Sequence, residues 1–273
     1  MERKDLVIVR GGGDIATAVI HRLWRAGFPV LVLETEQPSA IRRYIAASEA
    51  VYEGESVVEG MKTVRIADVT EMPAVLDGGD VPLLVDPEGR SIPRLRPMAV
   101  VDAILAKKNL GTHRGMAPIT VALGPGFTAG EDVDAVVETR RGHDLGRVLW
   151  QGQAAPNTGI PGPIGGFGKE RVIHCPAAGV LRNVRKITDR VAKGEVIAIV
   201  ETETGPVPVE ATLDGILRGL IRDGYPVKAG FKMADIDPRA EEYNNCFTIS
   251  DKARCIAGGV LEAILQRKGE LGL

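Results

Sequence analysis

The stretch that decides the fold is Leu6-Val7-Ile8-Val9-Arg10-Gly11-Gly12-Gly13-Asp14-Ile15-Ala16, continued as far as Glu34. Leu6 to Val9 is an apolar run of strand length, and it breaks into Gly11-Gly12-Gly13-Asp14. A helical pattern follows, with Ile15, Val19, Ile20 and Leu23 on one face as far as Gly27. Val30-Leu31-Val32-Leu33 is a second apolar run, closed by Glu34. Strand, glycine turn, helix, strand and acid in that order form the opening unit of a dinucleotide-binding α/β sheet. The glycines fall as Gly11-x-Gly13-x-x-Ala16. The first permits a tight turn, the second lets backbone approach a pyrophosphate, and the small third residue lets helix and strand pack closely. Free N–H groups at a helix start cradle an anion. The expected binding residues are therefore Gly11, Gly12, Gly13, Asp14, Ile15 and Ala16, with Glu34 bonding a ribose hydroxyl. Glu34 disfavours a 2′-phosphate and so favours NAD over NADP, a preference that Arg42 and Arg43 weaken. The alternative is a tight turn that holds nothing. Asp14 supports it, because a carboxylate there repels a pyrophosphate, and Asp14 is read as the N-cap of the helix.

The bulk numbers narrow the class. A chain of 273 residues makes one large domain or two ordinary ones. With 44% hydrophobic and 26% charged residues it can bury a full core. A net charge of −2 and only 4% aromatic residues argue against nucleic acid as a partner. No apolar stretch approaches the roughly 20 residues that span a bilayer, so no membrane partner is expected. Met1-Glu2-Arg3-Lys4-Asp5 runs straight into the first strand, so no signal peptide is expected and a cytoplasmic location is. Cys175, Cys246 and Cys255 include no CxxC pair and suit a reducing compartment. His21, His113, His143 and His174 are scattered, and no metal site is expected.

Further along, the pattern predicts a helix over residues 38–47, a strand over 50–52 and a loop over 54–61. A strand over 63–67, a helix over 69–76 and a strand over 81–85 follow, then a helix over 100–108. A strand over 119–123 runs into Gly124-Pro125-Gly126-Phe127, and one over 135–138 into Thr139-Arg140-Arg141-Gly142-His143. This alternation predicts a Rossmann-like, mainly parallel sheet over residues 1–150. Residues 151–168 hold many glycines and prolines, Pro161 and Pro163 among them, and read as a linker or a functional loop. Residues 169–236 carry an internal repeat. Gly179-Val180-Leu181-Arg182 matches Gly215-Ile216-Leu217-Arg218, 36 residues on, and the same offset carries Val191 onto Val227 and Gly194 onto Gly230. Two such copies predict a small β-sandwich. In residues 237–273, Ser250-Asp251 opens a helix expected to dock on the N-terminal sheet, with Gly258-Gly259 inside it for close packing. Cys175 reads as a buried structural thiol.

The repeat resembles the barrel-sandwich hybrid fold of biotinyl and lipoyl carrier domains. Those carry a modified lysine in the central hairpin, whereas here that hairpin is Glu201-Thr202-Glu203-Thr204-Gly205-Pro206. No biotin or lipoate is expected. More widely, several motifs together resemble the YqeB-type proteins of the selenium-dependent molybdenum hydroxylase system. They are Arg10 to Thr17, Gly124 to Phe127, Glu138 to His143, Pro156-Asn157-Thr158-Gly159, Asp235 to Arg239 and Ser250 to Ala253. The resemblance implies a role in maturation of molybdenum hydroxylases such as xanthine dehydrogenase and purine hydroxylase. It brings no catalytic residue set with it.

The remaining candidates follow strands. Arg140, Arg141 and His143 would bind phosphate or the anionic groups of a pterin, or form a solvated basic turn. Gly124 and Gly126 would make a second close-approach loop or a plain turn. Asn157 and Thr158 would bond a ligand or stabilise their own loop. Three functions stay open. The first is an accessory factor that binds NAD(P) or a molybdopterin-type nucleotide and meets an apo-hydroxylase, as a monomer or a homo-oligomer. The second is an NAD-dependent oxidoreductase with His143 as proton donor. The third is a non-catalytic scaffold.

Overall fold

The computed structural model describes residues 4–159, 162, 164–239 and 241–273. Residues 1–3, on which the expectation about a signal peptide rests, and Pro161 and Pro163 of the expected linker lie outside the described residues. The chain forms two compact units. One comprises Met1–Pro38, Ala46–Thr158 and Ile249–Leu273; the other comprises Ser39–Ile45 and Gly159–Thr248.

In the first unit, runs rich in valine, isoleucine and leucine pair as strands because their branched side chains pack well on a pleated surface. They are β1 (Val7–Arg10), β2 (Val30–Glu34), β3 (Glu55–Val58), β4 (Met61–Ile66), β5 (Val81–Val85), β6 (Ala99–Asp102), β7 (Ile119–Leu123), β8 (Thr128–Ala129), β9 (Ala135–Val137), β10 (Val148–Leu149) and β11 (Gly152–Gln153). The helices are α1 (Asp14–Arg25), α2 (Ala50–Glu53), α3 (Met72–Asp77), α4 (Ile92–Leu95) and α5 (Asp251–Leu271). Nine strands form one sheet in the order β10-β9-β7-β6-β1-β2-β5-β4-β3. Neighbours from β4 to β9 run parallel, while β3 and β10 add antiparallel edges. A separate two-stranded antiparallel sheet joins β8 and β11, so the expected linker begins with a paired strand.

The sheet is thus mixed, and the expected Rossmann-like fold is corrected. No α-helix lies between β6 and β7 or between β7 and β9. The helix predicted over 100–108 is absent because Val100 and Val101 are inserted between β1 and β7, in a run too short for period alone to decide. Beyond Asp102 the chain is a loop in which Leu105 and Lys107 hold positive φ, 59° and 63°. The predicted strand at 50–52 is α2, and the predicted loop at 54–61 contains β3.

Helix α1 buries Ala16, Val19, Ile20 and Leu23. Its three larger apolar side chains each stabilise the fold by roughly 2 kcal/mol. One face of the sheet packs Leu6, Ile8, Leu31, Leu33, Ile66, Met72, Ile92 and Val100. Helix α5 starts at Ser250, whose hydroxyl accepts the Ala253 N–H at 3.2 Å, and packs on α1, β7, β9 and β10. Gly259 lets it approach residue 146 closely, since a Cβ would stand 2.2 Å from the Gly146 carbonyl oxygen; Gly258 faces open space.

The second unit holds β12 (Val172–His174), β13 (Gly179–Asn183), β14 (Arg190–Val191), β15 (Val196–Thr202), β16 (Gly205–Glu210), β17 (Gly215–Leu220), β18 (Pro226–Val227) and β19 (Lys232–Asp237). They make two antiparallel sheets, β12-β19-β17-β14 and β16-β15-β13-β18. The repeat is visible here: β13 and β17, β14 and β18, and β15 and β19 each begin 36 residues apart. Its paired glycines have one cause. A Cβ on Gly179 would stand 2.1 Å from the Glu201 carbonyl oxygen, and one on Gly215 2.3 Å from that of Asp237. Strands β12 and β16 lie outside the repeat and edge the two sheets. Residues 39–45, distant in sequence, cover β17, where Leu220 N–H donates to Ile41 O at 2.9 Å. The expected barrel-sandwich domain is therefore corrected to two four-stranded antiparallel sheets around Leu181, Ile197, Val200, Leu217 and Ile236. No helix among the described residues is long and apolar enough to cross a membrane.

Candidate functional site at the carboxyl edge of the parallel strands

Because β1, β2, β5, β6, β7 and β9 run parallel, the loops that follow them emerge at one edge of the sheet. The glycine turn follows β1. Gly11 has φ 99° and donates to Leu33 O at 2.7 Å. A Cβ there would stand 3.0 Å from the Ala103 carbonyl oxygen. Gly12 N–H donates to Glu34 Oε2 at 2.7 Å, and Thr35 N–H to Glu34 Oε1 at 2.7 Å. From the other side, Ser48 N–H donates to Gly12 O at 2.8 Å. Gly13 is the N-cap of α1 and Asp14 its first helical residue, which corrects the reading of Asp14 as the cap. A side chain at Gly13 would meet nothing within 4 Å. Ile15 is half-buried and Ala16 buried. Burial pushes the Glu34 carboxyl above its ordinary range, against the pull of the Thr35 and Gly12 N–H groups. An acid folded onto the turn's own amide repels a pyrophosphate there. The expectation of a Rossmann-type nucleotide-binding turn is corrected together with the fold.

The loops after β6, β7 and β9 touch in sequence along the edge. A Cβ on Gly126 would stand 2.7 Å from the Lys108 nitrogen, and one on Gly124 2.5 Å from Thr139 Oγ1. Both glycines have positive φ, 71° for Gly124 and 110° for Gly126, so these approaches need residues without side chains. Glu138 is buried and accepts from Arg140 N–H at 2.7 Å and from Ala155 N–H at 2.7 Å. That second bond ties the segment carrying Asn157 and Thr158, both exposed, to the same edge. Arg140 and His143 are exposed. Arg141 is turned to α5, where it holds Asp251 through two bonds of 2.9 Å.

Beneath these loops lies a polar cluster. Arg10, Asp102 and Thr112 are 2%, 2% and 1% exposed. Arg10 donates to the Thr112 hydroxyl, which donates to Asp102 Oδ2 at 2.6 Å. Arg10 Nη1 stands 3.9 Å from Asp102 Oδ2, and Nη2 donates to Pro87 O at 2.8 Å. Arg10 Nε has no hydrogen-bond partner. Burial pushes Asp102 above its ordinary range, against Thr112, the Ile104 N–H and Arg10.

The sequence reading gathered Gly11, Gly124, Gly126, Arg140, Asn157 and Thr158, and the structure brings them to one edge. Arg10 and Glu138, which the sequence offers only as parts of the resembling motifs, and Asp102, Lys107, Lys108 and Thr112, which it does not single out, lie at the same edge. The signal for three of these was present. Arg10, Asp102 and Glu138 each end or follow a buried apolar run, as Glu34 does. Away from this edge, burial pushes the Cys175 thiol up to about 11. Among the described residues no group of three His, Cys, Asp or Glu side chains could hold a metal ion.

No family model matches the chain. Solved structures similar to it include the ectoine utilization protein EutE (DoeB) from Ruegeria pomeroyi, at TM-score 0.27, 11% identity and 85% coverage of both chains. A succinylglutamate desuccinylase/aspartoacylase from Rhodobacter sphaeroides matches at TM-score 0.28, 14% identity and 85% coverage of both. An aspartoacylase family protein from Mesorhizobium loti matches at TM-score 0.29 and 11% identity, covering 86% of this chain and 85% of that one. Likenesses this low carry no argument about activity. The uncharacterized protein YqeB of Escherichia coli (strain K12) is 50% identical over 262 residues, which is 96% of this chain and 47% of that protein. The chain spans about half the length of the curated relative it matches. Over that shared length it is a YqeB-type chain.

Proposed function

We propose that the chain is an accessory factor for molybdenum hydroxylases whose carboxyl edge takes the anionic end of a molybdopterin-type cofactor. The observation that carries this reading is the division of charge at that edge. Glu34 and Glu138 are turned onto backbone N–H groups, and Asp102 is buried with Thr112 and Arg10. Lys107, Lys108 and Arg140 are exposed beside the glycine turns. Cations around bare backbone suit a phosphate group, because Arg and Lys bond its oxygens directly. The glycine turn at Gly12 does not suit one, so the anion is assigned to Lys107, Lys108 and Arg140, with Asn157 and Thr158 as hydrogen-bonding neighbours. The cofactor's redox chemistry belongs to the hydroxylase; these side chains bind and orient. The resemblance to the selenium-dependent system supports the choice of cofactor and partner.

The test is co-expression of the chain with an apo-hydroxylase, followed by mass spectrometry of ligand released on denaturation. The expected result is a released pterin that disappears from a Lys107→Ala/Lys108→Ala/Arg140→Ala variant with an unchanged melting temperature. Release of NAD(P) in its place, or of no pterin, contradicts the reading. One observation favours a second reading, a non-catalytic scaffold. Glu34 and Ser48 bind Gly12 from two sides and make the turn a structural joint. On that reading the hydroxylase co-purifies and nothing is released.

A further inference from the structure

The opposite edge of the same sheet holds an open cavity, broadly exposed to solvent, of about 480 Å³ that the proposed function does not use. Ile92, Met98, Met116, Pro118 and Leu273 line it, and its charged side chains are Lys4 and Arg96. Its volume falls within the roughly 300–1,000 Å³ of small-molecule sites, which are mostly apolar with few polar groups. Met98 and Ile92 are buried, so the wall is continuous with the core. Methionine side chains adapt to irregular apolar ligands. Lys4 and Arg96 are exposed, and among the described residues neither is seen in an ion pair.

Arg96 adds an independent observation. It closes α4 in the left-handed conformation, at φ 46° and ψ 59°. Glycine is the unstrained residue for such a cap, and a side chain there is held against a conformational penalty. Strain of this kind clusters at ligand sites. Here it puts a guanidinium among the lining residues of an apolar cavity.

We infer that this cavity binds a small organic carboxylate with an apolar body, its carboxylate on Arg96 and Lys4 and its body against Met98 and Met116. The site is separate from the carboxyl edge and stands whether or not a pterin binds there. The test uses the full chain with octanoate, octanol, octylamine and acetate, followed through the ε-methyl NMR signals of 13C-labelled methionines. Octanoate is expected to shift Met98 and Met116 saturably, with octanol at least tenfold weaker and octylamine and acetate without effect. Arg96→Gly is expected to weaken octanoate at least tenfold while raising the melting temperature, because it removes strain and charge together. Equal binding of octanol and octanoate, shifts confined to other methionines, or full octanoate affinity in Arg96→Gly would each overturn the inference. So would the absence of octanoate binding.

Discussion

Two aspartates, one in each unit, show how differently this protein treats buried charge. Asp102 and Asp237 are 2% and 1% exposed, and each stands beside arginine. Burial alone would raise both. At Asp237 it is more than offset: Arg239 donates through Nε at 3.0 Å, Nη2 at 2.8 Å and its N–H at 3.1 Å, and Arg218 donates at 3.2 Å, so the carboxyl lies below its ordinary range. At Asp102 the hydroxyl of Thr112 stands between the acid and Arg10, whose nearest nitrogen is 3.9 Å away, and the carboxyl lies above its ordinary range. Direct charge-assisted bonds repay desolvation, and a relay through a hydroxyl does not. The second unit uses its ion pairs as a frame. The carboxyl edge of the first keeps a costly acid beneath the loops assigned to ligand binding.

The largest loss in the frame of the second unit is expected at Asp235, which accepts from Arg171 at 2.9 Å and from Arg218 Nε at 2.8 Å. Asp235→Ala leaves the buried Arg171 and the mostly buried Arg218 without this carboxylate, and is expected to cost about 3–5 kcal/mol in urea unfolding at pH 7. Arg10→Met is expected to cost less, about 2–3 kcal/mol, because Asp102 can take up a proton once the cation is gone. Its loss should shrink on acidification, which the same titration repeated at pH 5 would reveal.

The pH dependence sharpens the contrast, since the two groups have opposite signs. The depressed Asp237 contributes stability that is present above the ordinary aspartate value of 3.8 and is lost as pH falls through its folded value. The raised Asp102 costs stability as pH rises from 3.8 through its folded value. Asp237→Asn should therefore flatten the acid limb of a stability–pH curve, and Asp102→Asn should remove a decline on the rising side. Chemical denaturation across pH 3–7 measures both. Smaller effects are expected at the glycine turn. Gly12→Ala places a Cβ 2.9 Å from the Ser48 nitrogen and should cost about 1–2 kcal/mol by overpacking. Gly13→Ser should gain a few tenths of a kcal/mol as a better N-cap in open space. Thermal unfolding of the two variants side by side checks that order.

The sequence showed the strand at Leu6–Val9, the helix that follows it and the period in the second half, because apolar runs and repeated glycines are local signals. It misled where the deciding contact is distant. Val100-Val101 followed by Ile104-Leu105 fits a helix by spacing, yet β1 and β7 on either side make it a strand. Of the glycines in the turn, Gly11 is explained by Ala103 and Gly12 by Ser48, residues far along the chain, whereas Gly13 meets nothing within 4 Å. Glu34 closes the buried strand β2, and its partners are the Gly12 and Thr35 amides. The repeat of 36 residues set the strand starts of the second unit and said nothing of β12, β16 or the covering residues 39–45.

An anion received at the carboxyl edge by Lys107, Lys108 and Arg140 is the central proposal for this chain. Isothermal titration of the purified chain with molybdopterin cytosine dinucleotide, beside NAD, tests this most directly. Saturable binding of the pterin compound, weakened at least tenfold in Lys107→Ala/Lys108→Ala/Arg140→Ala and unaffected by Arg141→Ala, is the predicted result. Equal affinity in wild type and triple variant, or binding of NAD in preference to the pterin compound, would contradict it.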